Sequence, residues 1–115
     1  MTIEELQAHC STKSGVSWDA PFGPDVLVFR VAGKIFALAP LDVFATINLK
    51  CDPERAIELR ERYPGIVPGY HMNKRHWNTV EVTGSVPRKL LLELVDHSYA
   101  LVRASLPKKV REQLD

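Results

Sequence analysis

A short turn between two apolar segments is the strongest constraint on how this chain can fold. Residues 26–31 are rich in β-branched and aromatic side chains, and residues 35–39 form a second such run. Only Ala32-Gly33-Lys34 separates them, which leaves room for nothing but an antiparallel return. Residues 46–51 then alternate polar and apolar side chains, as in a strand with one face in water. The sequence therefore predicts an antiparallel sheet.

Helix signals flank these strands. Thr2 and Glu5 have the spacing of a capping box, which predicts a first helix over about residues 3–13. The pair Asp52-Pro53 predicts the start of a second helix, and Pro87 that of the longest one. A short final helix is predicted after Pro107. The side chains expected to form the buried stripe of the second helix are Ala56, Ile57, Leu59 and Tyr63.

The remaining segments complete a two-layer domain. Residues 18–25 contain two prolines and a glycine and are predicted to be a loop. Two short strands are predicted at residues 66–70 and 77–82, and Pro68 places the first at a sheet edge or a bulge. The prediction is one α+β domain over residues 1–115, a two-layer sandwich with helices on one face of an antiparallel sheet. Its element order is α-β-β-β-α-β-β-α.

Composition narrows the class of protein. The chain is 45% hydrophobic and 25% charged, which is ordinary for a globular domain. Its formal net charge is +1, so any basic binding surface has to be local. The first residues lack the apolar segment of a signal peptide, and no apolar run is long enough to cross a bilayer. With two widely separated cysteines, Cys10 and Cys51, we expect a reduced, cytoplasmic domain without a membrane partner.

The polar residues do not follow a pattern typical of catalysis or metal binding. His71 and His76 are five positions apart, which puts them on different faces of a helix or a strand. Cys51 precedes a helix start, where the thiol pKa is lowered, but it also continues the apolar phase of its strand. That phase favours a buried structural cysteine. We therefore predict a non-enzymatic domain with no catalytic residues, no metal and no cofactor.

Several segments resemble the MmcQ/YjbR family. They are residues 21–25 (PFGPD), 31–38 (VAGKIFAL), 48–53 (NLKCDP), 68–74 (PGYHMNK), 76–80 (HWNTV) and 98–99 (SY). The resemblance implies a two-layer α+β domain, comparable to secretion chaperones and to CyaY-like (frataxin) domains. It also implies DNA binding, the activity after which such proteins are commonly named. It brings no defined catalytic set.

The phase of the strands points the same way. If Ile47 and Leu49 face the helices, Lys50 lies on the open face, and Trp77 is expected there too. A cation beside an aromatic ring is typical of surfaces that bind nucleic acid. The predicted nucleic-acid-binding residues are Lys50, Lys74, Arg75, His76, Trp77, Lys108 and Lys109. The expected partner is DNA, bound weakly and in a salt-dependent way.

Two alternatives remain open. The open face is also suited to a protein partner or a small anionic ligand, in a pocket predicted from Asp25, Lys50, His71, Lys74 and Trp77. In a purely structural interpretation, Trp77 caps the core instead. His71 and Asn73 then serve to satisfy backbone groups of their loop.

Overall fold

The computed structural model, which describes residues 1–69 and 72–114, contains one six-stranded antiparallel sheet with helices packed against one face. The spatial strand order is β1-β2-β3-β4-β6-β5. Along the chain the elements are α1 (Ile3–Ser11), β1 (Val16–Asp19), β2 (Val26–Val31), β3 (Lys34–Pro40), β4 (Thr46–Lys50), α2 (Pro53–Arg62), β5 (Ile66–Pro68), β6 (Trp77–Glu81), α3 (Arg88–Ala104) and α4 (Lys108–Gln113). The predicted α+β class is confirmed, and the predicted elements follow one another in the predicted order, with one further strand, β1. Across the described ranges, no helix has both the length and the hydrophobicity needed to cross a membrane.

One face of β4 and β6 is part of the core between the two layers. Ile47 and Leu49 of β4 and Val80 of β6 are buried in one cluster with apolar side chains from α1, α2 and α3. The residues between them are half-buried and point to the opposite, open face, because side chains alternate along a strand. This confirms the predicted phase of both strands. The polar members of β4 and β6 therefore share a surface on the side away from the helices.

An additional edge strand precedes the predicted ones. β1 pairs with β2 from Val16 opposite Val31 to Asp19 opposite Val28. The prediction that the loop begins at Trp18 was wrong, since this residue pairs with Phe29 and the two rings lie 5.7 Å apart. The strand is four residues long and largely exposed, so it has no alternation of buried and exposed side chains to reveal it.

A β-bulge in β3 prepares the contact with α3. Phe29 of β2 pairs with Ala37, but the next residue, Arg30, pairs with Ile35. Phe36 is therefore the extra residue of the bulge, and both it and Ala37 are fully buried. A bulge residue has no regular ladder partner, so its carbonyl needs a hydrogen bond from elsewhere.

Ser98 of α3 provides that hydrogen bond. Its side chain is fully buried, and its Oγ donates to the Phe36 carbonyl at 2.5 Å. The same oxygen accepts the Lys50 N–H at 2.9 Å. One hydroxyl thus joins α3 to β3 and β4, and the only hydroxyl within the apolar stripe of α3 is fully hydrogen-bonded.

The β5 strand ends the sheet, as predicted from Pro68. It pairs with β6 through Ile66, Val67 and Pro68. Beyond it, the Gly69 N–H donates to the Trp77 carbonyl of β6 at 2.8 Å. On the other side of the strand, the Ile66 N–H donates to the Tyr63 carbonyl at 3.0 Å.

The predicted buried stripe of α2 was wrong at one position. Ala56 and Leu59 are buried, but Ile57 is 54% exposed. Successive helix residues are turned about 100° from each other, so a helix that buries Ala56 and Leu59 against the sheet carries Ile57 away from it. An isoleucine is therefore exposed on the outer side of α2.

We expect Ser98→Ala to lower the free energy of unfolding by about 1–3 kcal/mol, because it leaves a buried N–H and a buried carbonyl without partners. Chemical denaturation measures this loss. The matched control is Ser11→Ala, whose hydroxyl bonds only the Ala8 carbonyl within α1; its effect should stay within about 0.5 kcal/mol. Equal losses in the two variants would contradict the role of Ser98.

Candidate nucleic-acid interface

Paired polar side chains of β4 and β6 form the middle of the open face. The cross-strand pairs are Lys50 with Trp77, Asn48 with Thr79, and Thr46 with Glu81. The Thr79 hydroxyl donates to Asn48 Oδ1 at 2.5 Å, which ties the two strands together on this side. Side chains directly opposite each other are close neighbours. The prediction that Lys50 and Trp77 share the open face is confirmed.

The end of β4 is held by three consecutive backbone N–H groups, those of residues 50–52. Their acceptors are, in order, Ser98 Oγ at 2.9 Å, the His76 carbonyl at 2.8 Å and His97 Nε2 at 3.1 Å. Two acceptors belong to α3 and one to the segment that enters β6. The backbone that carries Lys50 is therefore fixed from the core side, although its side chain lies on the open face.

Asn73 shapes the loop that carries the predicted basic residues. Its Oδ1 accepts the Arg75 N–H at 3.0 Å. Its carbonyl accepts the N–H groups of His76 and Trp77 at 3.1 and 3.0 Å. The structural role predicted for Asn73 is confirmed, whereas His71 lies outside the described residues.

Arg60 of α2 is the residue that the sequence reasoning missed. Its Nε donates to Asn78 Oδ1 at 2.6 Å, and its Nη2 donates to the Trp77 carbonyl at 3.3 Å and to the carbonyl of Lys74. One guanidinium thus joins the middle of the loop, at Lys74, to the strand that follows it, at Trp77 and Asn78, which suits its planar array of donors. The only signal in the sequence is that Arg60 lies four residues after buried Ala56, on the same helix face.

Trp77 does not cap the core between sheet and helices, because it faces the open side opposite Lys50. It is half-buried there, and the chain before the loop packs closely against it. A Cβ on Gly69 would lie 2.8 Å from the Trp77 Cβ and 3.0 Å from that of Met72. Only glycine fits at position 69, and its close contact helps to fix the position of the Trp77 Cβ.

Lys74 and Arg75 are the exposed cations of this loop. Over residues 1–69 and 72–114, no carboxylate lies within salt-bridge distance of either side chain or of Lys50. His76 is half-buried, and its carbonyl is engaged by Cys51. The structure thus brings Lys50, Lys74, Arg75 and Trp77 to one end of the sheet, at the junction of β4 and β6.

Lys108 and Lys109 belong to a different part of the molecule. They begin α4, which packs through Leu114 beside Gly15, just before the edge strand β1. The loop of residues 72–76 adjoins β5 and β6, at the other edge of the sheet. Lys108 is also 3.9 Å from Glu112 in its own helix. The second basic group is not brought together with the first.

The predicted ligand pocket is not assembled, because Asp25 lies at the far end of the strands. The Asp25 carbonyl accepts the Leu41 N–H at 2.7 Å, which places Asp25 beside the residue that follows β3. The register between β3 and β4 places Lys50 beside Phe36, near the start of β3. Leu41 and Phe36 are five residues apart in extended chain, which is a distance of about 16 Å. Asp25 raises the pKa of Asp42, first through a side-chain hydrogen bond and then through its negative charge. This end of the sheet is acidic, and the Lys50 end is basic.

The buried thiols are unreactive in this setting. Burial raises the pKa of Cys10 to about 12 and that of Cys51 to about 11, so both stay protonated at neutral pH. Cys51 is 3% exposed, as predicted for a structural cysteine. In the part of the chain that the structure describes, no three His, Cys, Asp or Glu side chains are grouped to hold a metal ion.

We expect Arg60→Lys to destabilise the protein by about 1–3 kcal/mol, because lysine keeps the charge but cannot span Asn78 and two carbonyls. Amide hydrogen exchange at His76 and Trp77 should accelerate, since their acceptor lies in the loop that Arg60 holds. The control is Arg62→Lys, whose side chain stacks on the Tyr63 ring. If the two variants behave alike, Arg60 does not organise the loop.

The pH dependence of stability should report the His97 hydrogen bond. Nε2 accepts the Asp52 N–H only when it is unprotonated, and burial, together with the charge of Arg55, lowers the pKa of His97. As the pH falls below about 6.5, the unfolded chain takes up this proton before the folded chain does, so stability decreases.

The measurement compares wild type with His97→Gln, which cannot titrate, from neutral to mildly acidic pH. The wild-type stability should fall relative to that of the variant as the pH decreases, because the histidine contribution is lost. A stability difference that is constant with pH would contradict this assignment.

Known proteins are similar to this chain both in sequence and in fold. The family model YjbR matches residues 11–101. YbdF of Escherichia coli O157:H7 is 41% identical over 95 residues, covering 82% of this chain and 78% of that protein. YjbR of Escherichia coli K12 is 33% identical over 115 residues, covering 99% and 98%. The crystal structure of Deinococcus radiodurans DR2400, a DUF419 domain, superimposes with a TM-score of 0.91 at 38% identity, covering 98% of this chain and 87% of that one. The chain belongs to the YjbR family.

Proposed function

We propose that this protein is a cytoplasmic, non-enzymatic domain that binds DNA through the Lys50 end of its open sheet face. The observation that carries the proposal is the cross-strand pair of Lys50 and Trp77, which sets a cation beside an indole on a face opposite the helices. Lys74 and Arg75 extend the positive charge from the adjoining loop. The strand phase in the sequence and the observed cross-strand pairing thus favour the same residues, Lys50 and Trp77.

The chemistry of these groups suits a polynucleotide chain. The ammonium and guanidinium groups bind phosphates, and the indole offers a π-face or edge to a base. Among residues 1–69 and 72–114, no helix protrudes at this site to enter a major groove, since α2 and α3 pack on the other face. Single-stranded DNA, whose bases are free to stack, is therefore the preferred form over duplex.

The distribution of charge along β4 and β6 determines where on the open face the DNA strand binds. Glu81 on β6 and the Asp25–Asp42 pair lie towards the opposite end of the sheet and repel phosphate. The cations Lys50, Lys74 and Arg75 lie together at the Lys50 end of the sheet. With three cations, the logarithm of the association constant should fall with the logarithm of salt with a slope of about −2 for single strands.

The test is fluorescence anisotropy with labelled oligothymidylate and labelled duplex, at about 50 and about 200 mM salt. The double variant Lys74→Ala/Arg75→Ala should weaken binding of the single strand at least about fivefold and flatten the salt dependence. The matched control is Lys108→Ala/Lys109→Ala, which removes the same charge from α4 and should change affinity less than about twofold.

Two results would overturn the proposal. One is an absence of binding by the wild-type protein at the lower salt concentration. The other is an equal loss in both double variants, which would mean that total charge, and not the site on the open face, determines affinity.

A further inference from the structure

A hollow lies between the outer side of α2 and the basic loop, and neither Lys50 nor Trp77 lines it. It has a volume of about 510 Å³ and is lined by Pro53, Glu54, Ile57, Arg60, Lys74 and Arg75. We call it the α2 groove. Its volume falls within the range of sites that bind ligands in proteins. It is separate from the Lys50–Trp77 pair, although Lys74 and Arg75 border both.

The floor of the α2 groove is aliphatic. Ile57 is 54% exposed, and Pro53 lies one helical turn before it on the same side of α2. Because the rotation of α2 that buries Ala56 and Leu59 turns Ile57 outward, packing within the domain does not account for an isoleucine at this position. One exposed aliphatic side chain is common on a protein surface, so what points to a ligand here is its place in a hollow whose rim is charged.

The rim of the α2 groove is mainly positive. Lys74 and Arg75 are exposed and have no carboxylate partner among the described residues, and Arg60 adds a third cation at the inner end. Among the described residues, Glu54 is the one acidic residue that lines the groove. An occupant that complements this rim carries carboxylates, and one that complements the floor carries an aliphatic side chain.

We infer that the α2 groove binds a short acidic segment of another protein, with one aliphatic side chain against Ile57 and its carboxylates against Lys74 and Arg75. Nucleic acid is a poorer match, because bases bind by stacking on aromatic rings and none of the six lining side chains is aromatic. A short peptide supplies the anchor and the charges together.

The peptide site and the proposed DNA site can be separated by substitution. Ile57 lines the α2 groove and has no part in the Lys50–Trp77 pair. Because its side chain is largely exposed, Ile57→Ser should leave the fold intact. Val67, 47% exposed on β5, provides a matched control through Val67→Ser.

The experiment uses a fluorescein-labelled peptide of about eight residues, with leucines at its centre and glutamates on both sides. A second peptide has serines in place of the leucines. Wild-type protein should bind the leucine peptide at least about tenfold more tightly than the serine peptide. Ile57→Ser should remove this preference, and Val67→Ser should retain it. Lys74→Ala/Arg75→Ala should weaken both peptides and reduce the dependence on salt.

The inference fails if wild type does not bind the leucine peptide, or if Ile57→Ser binds it as well as wild type does. It also fails if Ile57→Ser weakens oligothymidylate in place of peptide, which would assign the groove to nucleic acid. Concentration-dependent dimerisation that Ile57→Ser abolishes would instead identify a second copy as the occupant. Peptide binding by a protein that does not bind oligothymidylate would support this inference while overturning the DNA proposal.

Discussion

Three successive amides at the end of β4 determine how the candidate interface is built. Each of the N–H groups from Lys50 to Asp52 has a different acceptor, and each acceptor lies outside the strand. The hydroxyl of Ser98 also satisfies the bulge at Phe36, so β3, β4 and α3 meet at one buried oxygen. Apolar packing alone lets a helix slide along a sheet, whereas these directional bonds fix one position. The backbone beneath Lys50 therefore has a defined place in the sheet.

A second set of hydrogen bonds fixes Trp77, the cross-strand partner of Lys50, from the helix side of the sheet. Arg60 of α2 donates to the carbonyls of Lys74 and Trp77 and to the amide oxygen of Asn78. The position of Lys50 and Trp77 is thus fixed by groups beneath the open face, while the Thr79–Asn48 hydrogen bond ties the two strands on the face itself. That division leaves Lys50, Lys74 and Arg75 available for an external ligand. It also makes Arg60 a positioning residue that lies between the two sites proposed for this protein.

The strand phases could be predicted from the sequence because a period of two depends only on neighbouring residues. The same local logic predicted the capping box of α1, the start of α2 at Pro53 and the loop-shaping role of Asn73. What local patterns could not supply is contact between distant segments. Arg60 meets Asn78, 18 residues away, and Ser98 meets Phe36, 62 residues away. Asp25 was placed in a pocket by its charge, but only the strand register shows that it lies at the opposite end of the sheet. The rotation of α2, which exposes Ile57, depends on which residues the sheet accepts.

The outer edge of β5 has a consequence for how the sheet ends. A strand at the edge of a sheet usually offers a row of N–H groups to any other chain. Here the Ile66 N–H is already given to the Tyr63 carbonyl, and Pro68 has no N–H to give. Val67, between them, pairs with Thr79 of β6, and Gly69, which follows Pro68, donates its N–H to the Trp77 carbonyl of the same strand. β5 therefore cannot donate backbone hydrogen bonds to a seventh strand. This protects the edge of the sheet from uncontrolled association, even though the Val67 side chain is exposed there.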